Sequence, residues 1–284
     1  MNDSRLPGAR LIAPRLSLAS CVRAYLLRNA FDCAPLAPPQ RLNRFPASPL
    51  CSITWFIEGE AELAGPGLGL EIKVPRAVFV GPQPRPWLSY NPGPVRTFSV
   101  MLYPAALHKL CGLDMSAWLG RFAPLDAALG EPWAALTAPL LAAPDDTARV
   151  ALIESFLAPR WQSARGAEEP LGGVVGDWVR RLGVQVAAAG WGRGARNIER
   201  RVKAWAGQPM RTLRRMQRAE RSFLETRAEL LSGAVSWSDI AARSGYADQA
   251  HLSREIKEIT GLTPTEFART GLADESYWVY RVWA

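Results

Sequence analysis

Ten basic side chains crowd into Arg193–Arg221 against only Glu199 and Glu220, giving that stretch a charge of +8, equal to the net charge of the whole chain. Concentrated arginine and lysine attract a polyanion. Side chains able to read nucleobases stand in or near this run: Arg196, Asn197 and Arg200 in one place, Gln249, Ala250, His251 and Arg254 in another. Arginine pairs bidentately with guanine, and Asn or Gln pairs with adenine. The chemistry on offer is recognition of DNA, not bond making. Support for catalysis is thin. The chain has two histidines, His108 and His251, and four cysteines, Cys21, Cys33, Cys51 and Cys111, with no C-x-x-C pair. Clustered His and carboxylate ligands for a metal are missing, and Ser, Cys and Lys lack a His partner nearby in sequence. No catalytic residue, metal site or cofactor is expected, and the cysteines read as reduced, mostly buried thiols.

The elements that must position the basic residues are legible as a repeat. Val186-Ala-Ala is followed by Ile198-x-Arg200-x-Val202-Lys203-x-Trp205-x-Gly207, and the same pattern returns 54 positions later as Ile240-Ala-Ala and Leu252-x-Arg254-x-Ile256-Lys257-x-Ile259-x-Gly261. Two matches in register indicate a duplicated unit. In the second copy, Ser236 and Asp239 have capping-box spacing for a short helix, Gly245 supplies a turn, and Asp248 can cap a second helix. Leu252, Ile256 and Ile259 form its buried stripe, and Gly261 ends it. Thr263-Pro264-Thr-Glu266 then opens a third helix. Helix, tight turn, helix is a plan whose second helix enters the major groove.

With the stripe buried, Gln249, Ala250, His251 and Arg254 fall on the outer face. The matching positions of the first copy are Ala195, Arg196, Asn197 and Arg200. These are the expected base-reading residues, with Arg193, Arg201, Lys203 and Lys257 expected on phosphates. Met210–Leu231 reads as one long Arg-rich helix that would hold the two reading helices about one duplex turn, roughly 34 Å, apart.

The N-terminal half has a different character. Residues 1–170 carry 16 Lys/Arg against 14 Asp/Glu, while 171–284 carry 18 against 12. Short β-rich runs (Cys51–Ile57, Leu70–Val74, Ala77–Val80, Thr97–Tyr103) lie between Pro/Gly turns and predict a small β-barrel or sandwich. A short helix is expected around Ser17–Asn29, and helices at Ala105–Cys111, Pro132–Leu141 and Thr147–Trp161. Ser163–Pro170 reads as a linker. The tail Tyr277–Trp283 alternates and fits a strand or a packing arm equally. Aromatic residues of the first half (Trp55, Phe56, Phe79, Trp87, Tyr90, Phe98, Tyr103) either line a ligand pocket or fill the core, and core packing is the commoner fate. The sequence assigns no effector pocket. The segment Met1–Gly8 lacks the apolar stretch of a signal peptide and no run is long enough to span a bilayer, so a cytoplasmic location is expected.

Residues Trp237–Phe267 resemble the C-terminal signature of AraC-type transcription factors. The likeness extends over about 174–270 and departs from the family at Gly190-Trp-Gly-Arg-Gly194 and at Ala268. More loosely, residues 16–160 resemble the cupin-like N-terminal domain of one subset of these regulators. The resemblance implies an α+β chain: a cupin-like small barrel or sandwich with flanking helices at 1–165, for sensing or dimerisation, then an all-α DNA-binding domain at 171–270. That domain would hold two helix-turn-helix units joined by a linker helix, with 271–284 as a tail. It also implies as partners double-stranded DNA, RNA polymerase, a small-molecule effector and a second copy of the chain. Two rivals stand beside it. A sequence-neutral DNA binder needs only the basic stripe, and an enzyme on the barrel needs a residue cluster that the sequence does not display.

Overall fold

The computed structural model describes residues 8–64, 70–165, 178–189, 195–232, 235–271 and 273–283. The strands are β1 (Gly8–Ile12), β2 (Val22–Asn29), β3 (Leu42–Phe45), β4 (Cys51–Glu58), β5 (Glu62–Ala64), β6 (Leu70–Lys73), β7 (Ala77–Val80), β8 (Trp87–Tyr90), β9 (Arg96–Leu102) and β10 (Phe122–Pro124). They form a six-stranded sheet in the order β1-β2-β9-β4-β7-β10 and a four-stranded sheet in the order β3-β8-β5-β6. All the pairings are antiparallel.

Strand alternation gives the larger sheet two unlike faces. Cys51, Ile53, Trp55, Phe98, Val100 and Leu102 are fully buried on one face. They share a core with residues of α1 (Pro104–Cys111), α2 (Leu125–Leu129), α3 (Glu131–Ala134), α4 (Thr137–Ala142) and α5 (Asp146–Ala164). The opposite face carries Ser52, Thr54, Phe56, Thr97, Ser99 and Met101, which look into the space between the sheets.

Two expectations need correction. Ser17–Asn29 is not a helix: a 3-10 turn at Leu16–Leu18 leads into β2, which lies between β1 and β9. A strand buried on both faces loses its alternation, and its continuous apolar run then looks like a buried helix. The expected helix over Pro132–Leu141 is two short ones, α3 and α4. Pro139 tolerates only a first turn, since its ring would collide with the carbonyl four residues back.

The C-terminal half is helical: α6 (Trp178–Ala189), α7 (Ala195–Ala206), α8 (Met210–Ser232), α9 (Trp237–Arg243), α10 (Gln249–Thr260), α11 (Pro264–Glu266) and α12 (Trp278–Trp283). A widened turn at Phe267–Gly271 continues α11. Among the described residues no helix is long and apolar enough to cross a membrane. Of the two readings of the tail, the packing arm holds and the strand does not: it is helical and buried. A 3-10 turn at Glu275–Tyr277 runs into α12, and Tyr277, Trp278, Val279 and Tyr280 are buried in one cluster with Leu26 of β2 and Phe267.

Helix α7 packs against α1 and the 3-10 turn Met115–Trp118. His108 of α1 bonds the Leu113 carbonyl through Nδ1 at 2.7 Å and stacks on Trp205 of α7 at 5.6 Å, so it serves packing. Gly207 ends α7 with φ 76°, and a Cβ there would sit 3.0 Å from the Met115 carbonyl oxygen. Gly207→Ala is therefore expected to destabilise the chain by about 1–2 kcal/mol, from the left-handed backbone alone, with crowding added. Urea unfolding of the two proteins measures it, and an unchanged midpoint would refute the close approach.

Candidate nucleic-acid interface

Helices α7 and α10 share the repeat register. Helix α10 begins and ends 54 residues after α7, and both are followed by a left-handed glycine, Gly207 and Gly261. The second unit is built as the sequence requires. Ser236 Oγ accepts from the Asp239 amide at 3.4 Å and starts α9. Gly245 makes the turn at φ 75°, a conformation that costs a residue with a Cβ. Asp248 Oδ1 accepts from the His251 amide at 2.6 Å and caps α10. Thr263 and Glu266 complete a reciprocal capping box, whose bonds from Thr263 hold the exposed Glu266 carboxyl below the usual range. Leu252, Ile256 and Ile259 are buried, the first two against Ile240, Ala241 and Tyr246.

The outer faces follow from this packing. On α10, Gln249, Ala250, Arg254 and Lys257 are exposed, and His251 is half-buried. On α7, Arg196, Arg200 and Lys203 are exposed, while Asn197 and Arg201 are half-buried. Arg193 and the turn 190–194 lie outside the described residues. Arg200 donates to Asn197 Oδ1 at 2.7 Å, which couples two of the expected base readers. Lys203 lies 3.4 Å from Glu199, a surface pair of little energetic weight. The His251 ring is engaged from below: its Nδ1 accepts from the Ala247 amide at 3.4 Å, and it meets Tyr246 edge-on at 5.3 Å.

Sequence reasoning missed how α10 is held. Glu255, next to Arg254, turns inward and is 4% exposed. Arg218 of α8 grips its two carboxylate oxygens at 2.7 and 3.0 Å, and the guanidinium lies 4.6 Å from the Tyr246 ring centre. The bond to Glu255 raises the Arg218 pKa, and burial pushes the Tyr246 hydroxyl up to about 12. A second pair, Arg215 with Glu258 at 2.5 Å, stands beside it. Arg218→Ala would strand a buried carboxylate, with an expected loss of about 2–3 kcal/mol after discounting the partly exposed arginine. Chemical denaturation checks this, and a loss below about 0.5 kcal/mol would make the pair ornamental.

Helices α10 and α8 are anchored to the sheet-rich half and the tail. The Ala47 amide donates to the Ile259 carbonyl at 2.8 Å, and Tyr280 donates to the Thr260 carbonyl at 3.2 Å. Arg23 of β2 reaches Glu220 of α8 at 3.1 Å. Beside these contacts, a cavity of about 270 Å³ opens between the two sheets, with α8, the end of α10 and α12 forming part of its wall. Phe56 and Trp87 line it. Trp55, Phe79, Phe98 and Tyr103 are buried elsewhere in the core, and Tyr90 is half-buried outside it. Among the described residues no cluster of His, Cys, Asp and Glu could hold a metal.

Residues 187–270 match a family model described as a helix-turn-helix domain. No curated protein sequence matches the chain. Solved structures of ToxT from Vibrio cholerae are similar: one covers 86% of this chain and 98% of its own at 9% identity, with a TM-score of 0.39. A second, of ToxT bound to (E)-4-(8-methylnaphthalen-1-yl)but-3-enoic acid, covers 93% and 99% at 10% identity, also with a TM-score of 0.39.

Proposed function

We propose that the chain, whose residues 187–270 match a helix-turn-helix domain and whose residues 237–267 resemble the AraC-type signature, regulates transcription by reading a specific DNA sequence with both α7 and α10. The observation that carries this is the matched pair itself: two helices of equal length, 54 residues apart, each presenting an exposed arginine at the same position, Arg200 and Arg254. Gln249, Asn197 and Arg196 join them on base edges, with Ala250 available to a thymine methyl and His251 at the margin. Lys203, Arg201, Lys257 and Arg193 contact phosphate. Helix α8 has 23 residues, so it is about 34 Å long, close to one turn of the duplex. A rigid connector of that length suits two reading helices on one face of DNA.

In this reading residues 1–165 sense and residues 171–270 bind DNA. The tail 271–284 joins the two, and no residue is catalytic. A small-molecule effector would occupy the cavity between the sheets, where it would touch α8 and α12 directly. Pairing with a second copy and contact with RNA polymerase enter on the family resemblance alone. Footprinting on DNA upstream of the chain's own gene tests the reading. Two protected patches on one face, about 10 base pairs between centres, are expected. Even, unpatterned protection would favour a sequence-neutral binder.

A further inference from the structure

We propose that the cavity between the sheets takes an uncharged, planar aromatic molecule carrying one hydrogen-bonding group, an inference that rests on reading the N-terminal half as the effector-binding part. The walls set the shape. Phe45 and Trp87 stack with ring centres 4.1 Å apart, Phe122 meets Trp87 edge-on at 4.9 Å, and Trp278 of the tail meets Phe45 edge-on at 6.1 Å. Aromatic faces and edges laid out this way favour another flat ring. The volume of about 270 Å³ sits at the small end of ligand pockets and suits one or two rings.

The polar groups set the charge. Thr54 and Ser99, on neighbouring strands β4 and β9, are bonded hydroxyl to hydroxyl at 2.8 Å. Such a pair uses one of its two protons and keeps one donor and several lone pairs, enough for a single N–H or O–H guest. The amide of Asn43 is already engaged, donating to Asn91 Oδ1 at 2.6 Å and accepting from Trp278 Nε1 at 2.8 Å. The charged side chains on the lining, Arg23, Arg28 and Glu220, each have a counter-ion: Arg23 with Glu220 at 3.1 Å, Arg28 with Glu275 at 2.5 Å. An anionic guest would have to compete with Glu220 for Arg23, or with Glu275, which Arg281 also holds, for Arg28, and that competition works against binding. A cationic guest would meet the arginines themselves.

Calorimetric titration of the full chain with indole and with indole-3-carboxylate tests the proposal. One molecule of indole per chain is expected to bind, at least tenfold more tightly than the carboxylate. Ser52→Phe, which fills the space from β4, should abolish indole binding, and the milder Thr97→Leu should weaken it should the first variant fold poorly. Glu220→Gln, which takes one carboxylate from Arg23, should narrow the preference for indole at least threefold. Equal or tighter binding of the carboxylate would overturn the proposal, and so would no binding of either compound at millimolar concentration. DNA affinity measured on the same preparations separates the two levels. Indole binding that leaves DNA affinity unmoved retains the site and removes the effector reading. Selective DNA binding without indole binding removes the proposed site and leaves the DNA-reading function standing.

Discussion

The Glu275→Ala variant is expected to unfold with about 3–5 kcal/mol less free energy than the parent, because it leaves a buried arginine without its counter-charge. Glu275 is 1% exposed in its side chain and Arg28, on β2, is 4% exposed; they meet at 2.5 Å. Arg281 of α12 reaches the other carboxylate oxygen of Glu275, and Arg28 also lies 4.6 Å from the Trp278 ring centre. Burial lowers the Arg28 pKa while Glu275 pulls it back up, so the pair is held against a desolvation cost. In a chain of this size the expected loss corresponds to a fall of roughly 10 °C in Tm, readable by calorimetry. Arg28→Met with Glu275→Leu, which removes the buried pair, keeps the volume and leaves only the partly exposed Arg281 unpaired, should recover most of it. A loss under about 1 kcal/mol in the single variant would mean the tail is held by its aromatic residues alone. The same tail bonds the last turn of α10 through Tyr280 and the cavity wall through Trp278. Its loosening should therefore also weaken DNA binding.

Arg254→Ala and Arg200→Ala are each expected to reduce discrimination between operator and random DNA by about 1–3 kcal/mol, with folding unchanged. Neither arginine carries a buried ion pair: Glu255 is held by Arg218, and Arg200 bonds only the neighbouring Asn197 among the contacts of the described residues. Lys257→Ala should behave differently. It should weaken binding about equally on every sequence and lower the salt dependence by about one counterion. If the arginine variants lose affinity uniformly too, α7 and α10 grip phosphate and do not read bases.

The DNA-binding half was legible because its signals are local. The caps Ser236, Asp248 and Thr263, the turn glycine Gly245 and the paired arginines all act within a few residues of where they stand. What holds these helices together was not. Arg218 and Glu255 are 37 residues apart, Arg28 and Glu275 are 247 apart, and nothing in either neighbourhood names its partner. The sheet half was read in part. Cys51–Glu58 and Ala77–Val80 declare themselves by β-branched and aromatic residues, but β3, β5, β8 and β10 have three or four residues each, too few to show a period. The cavity was hidden for a related reason. Strand alternation puts neighbouring side chains on opposite faces, and which face meets the second sheet is set by strands distant in the chain. So Phe56 and Trp87 reach the cavity while Trp55 and Phe98 do not. Phe45 and Phe122, which do reach it, sit on strands too short to be recognised.

The central claim is selective reading of DNA by two matched helices. Its most direct measurement is a titration of the purified chain onto labelled DNA from upstream of its own gene, with random DNA as competitor, across a salt series. The account predicts binding that falls steeply with salt and prefers the upstream DNA, and a preference that shrinks about 5- to 150-fold in Arg254→Ala. Absence of DNA binding at low salt, or equal affinity for upstream and random DNA in the parent protein, would contradict it.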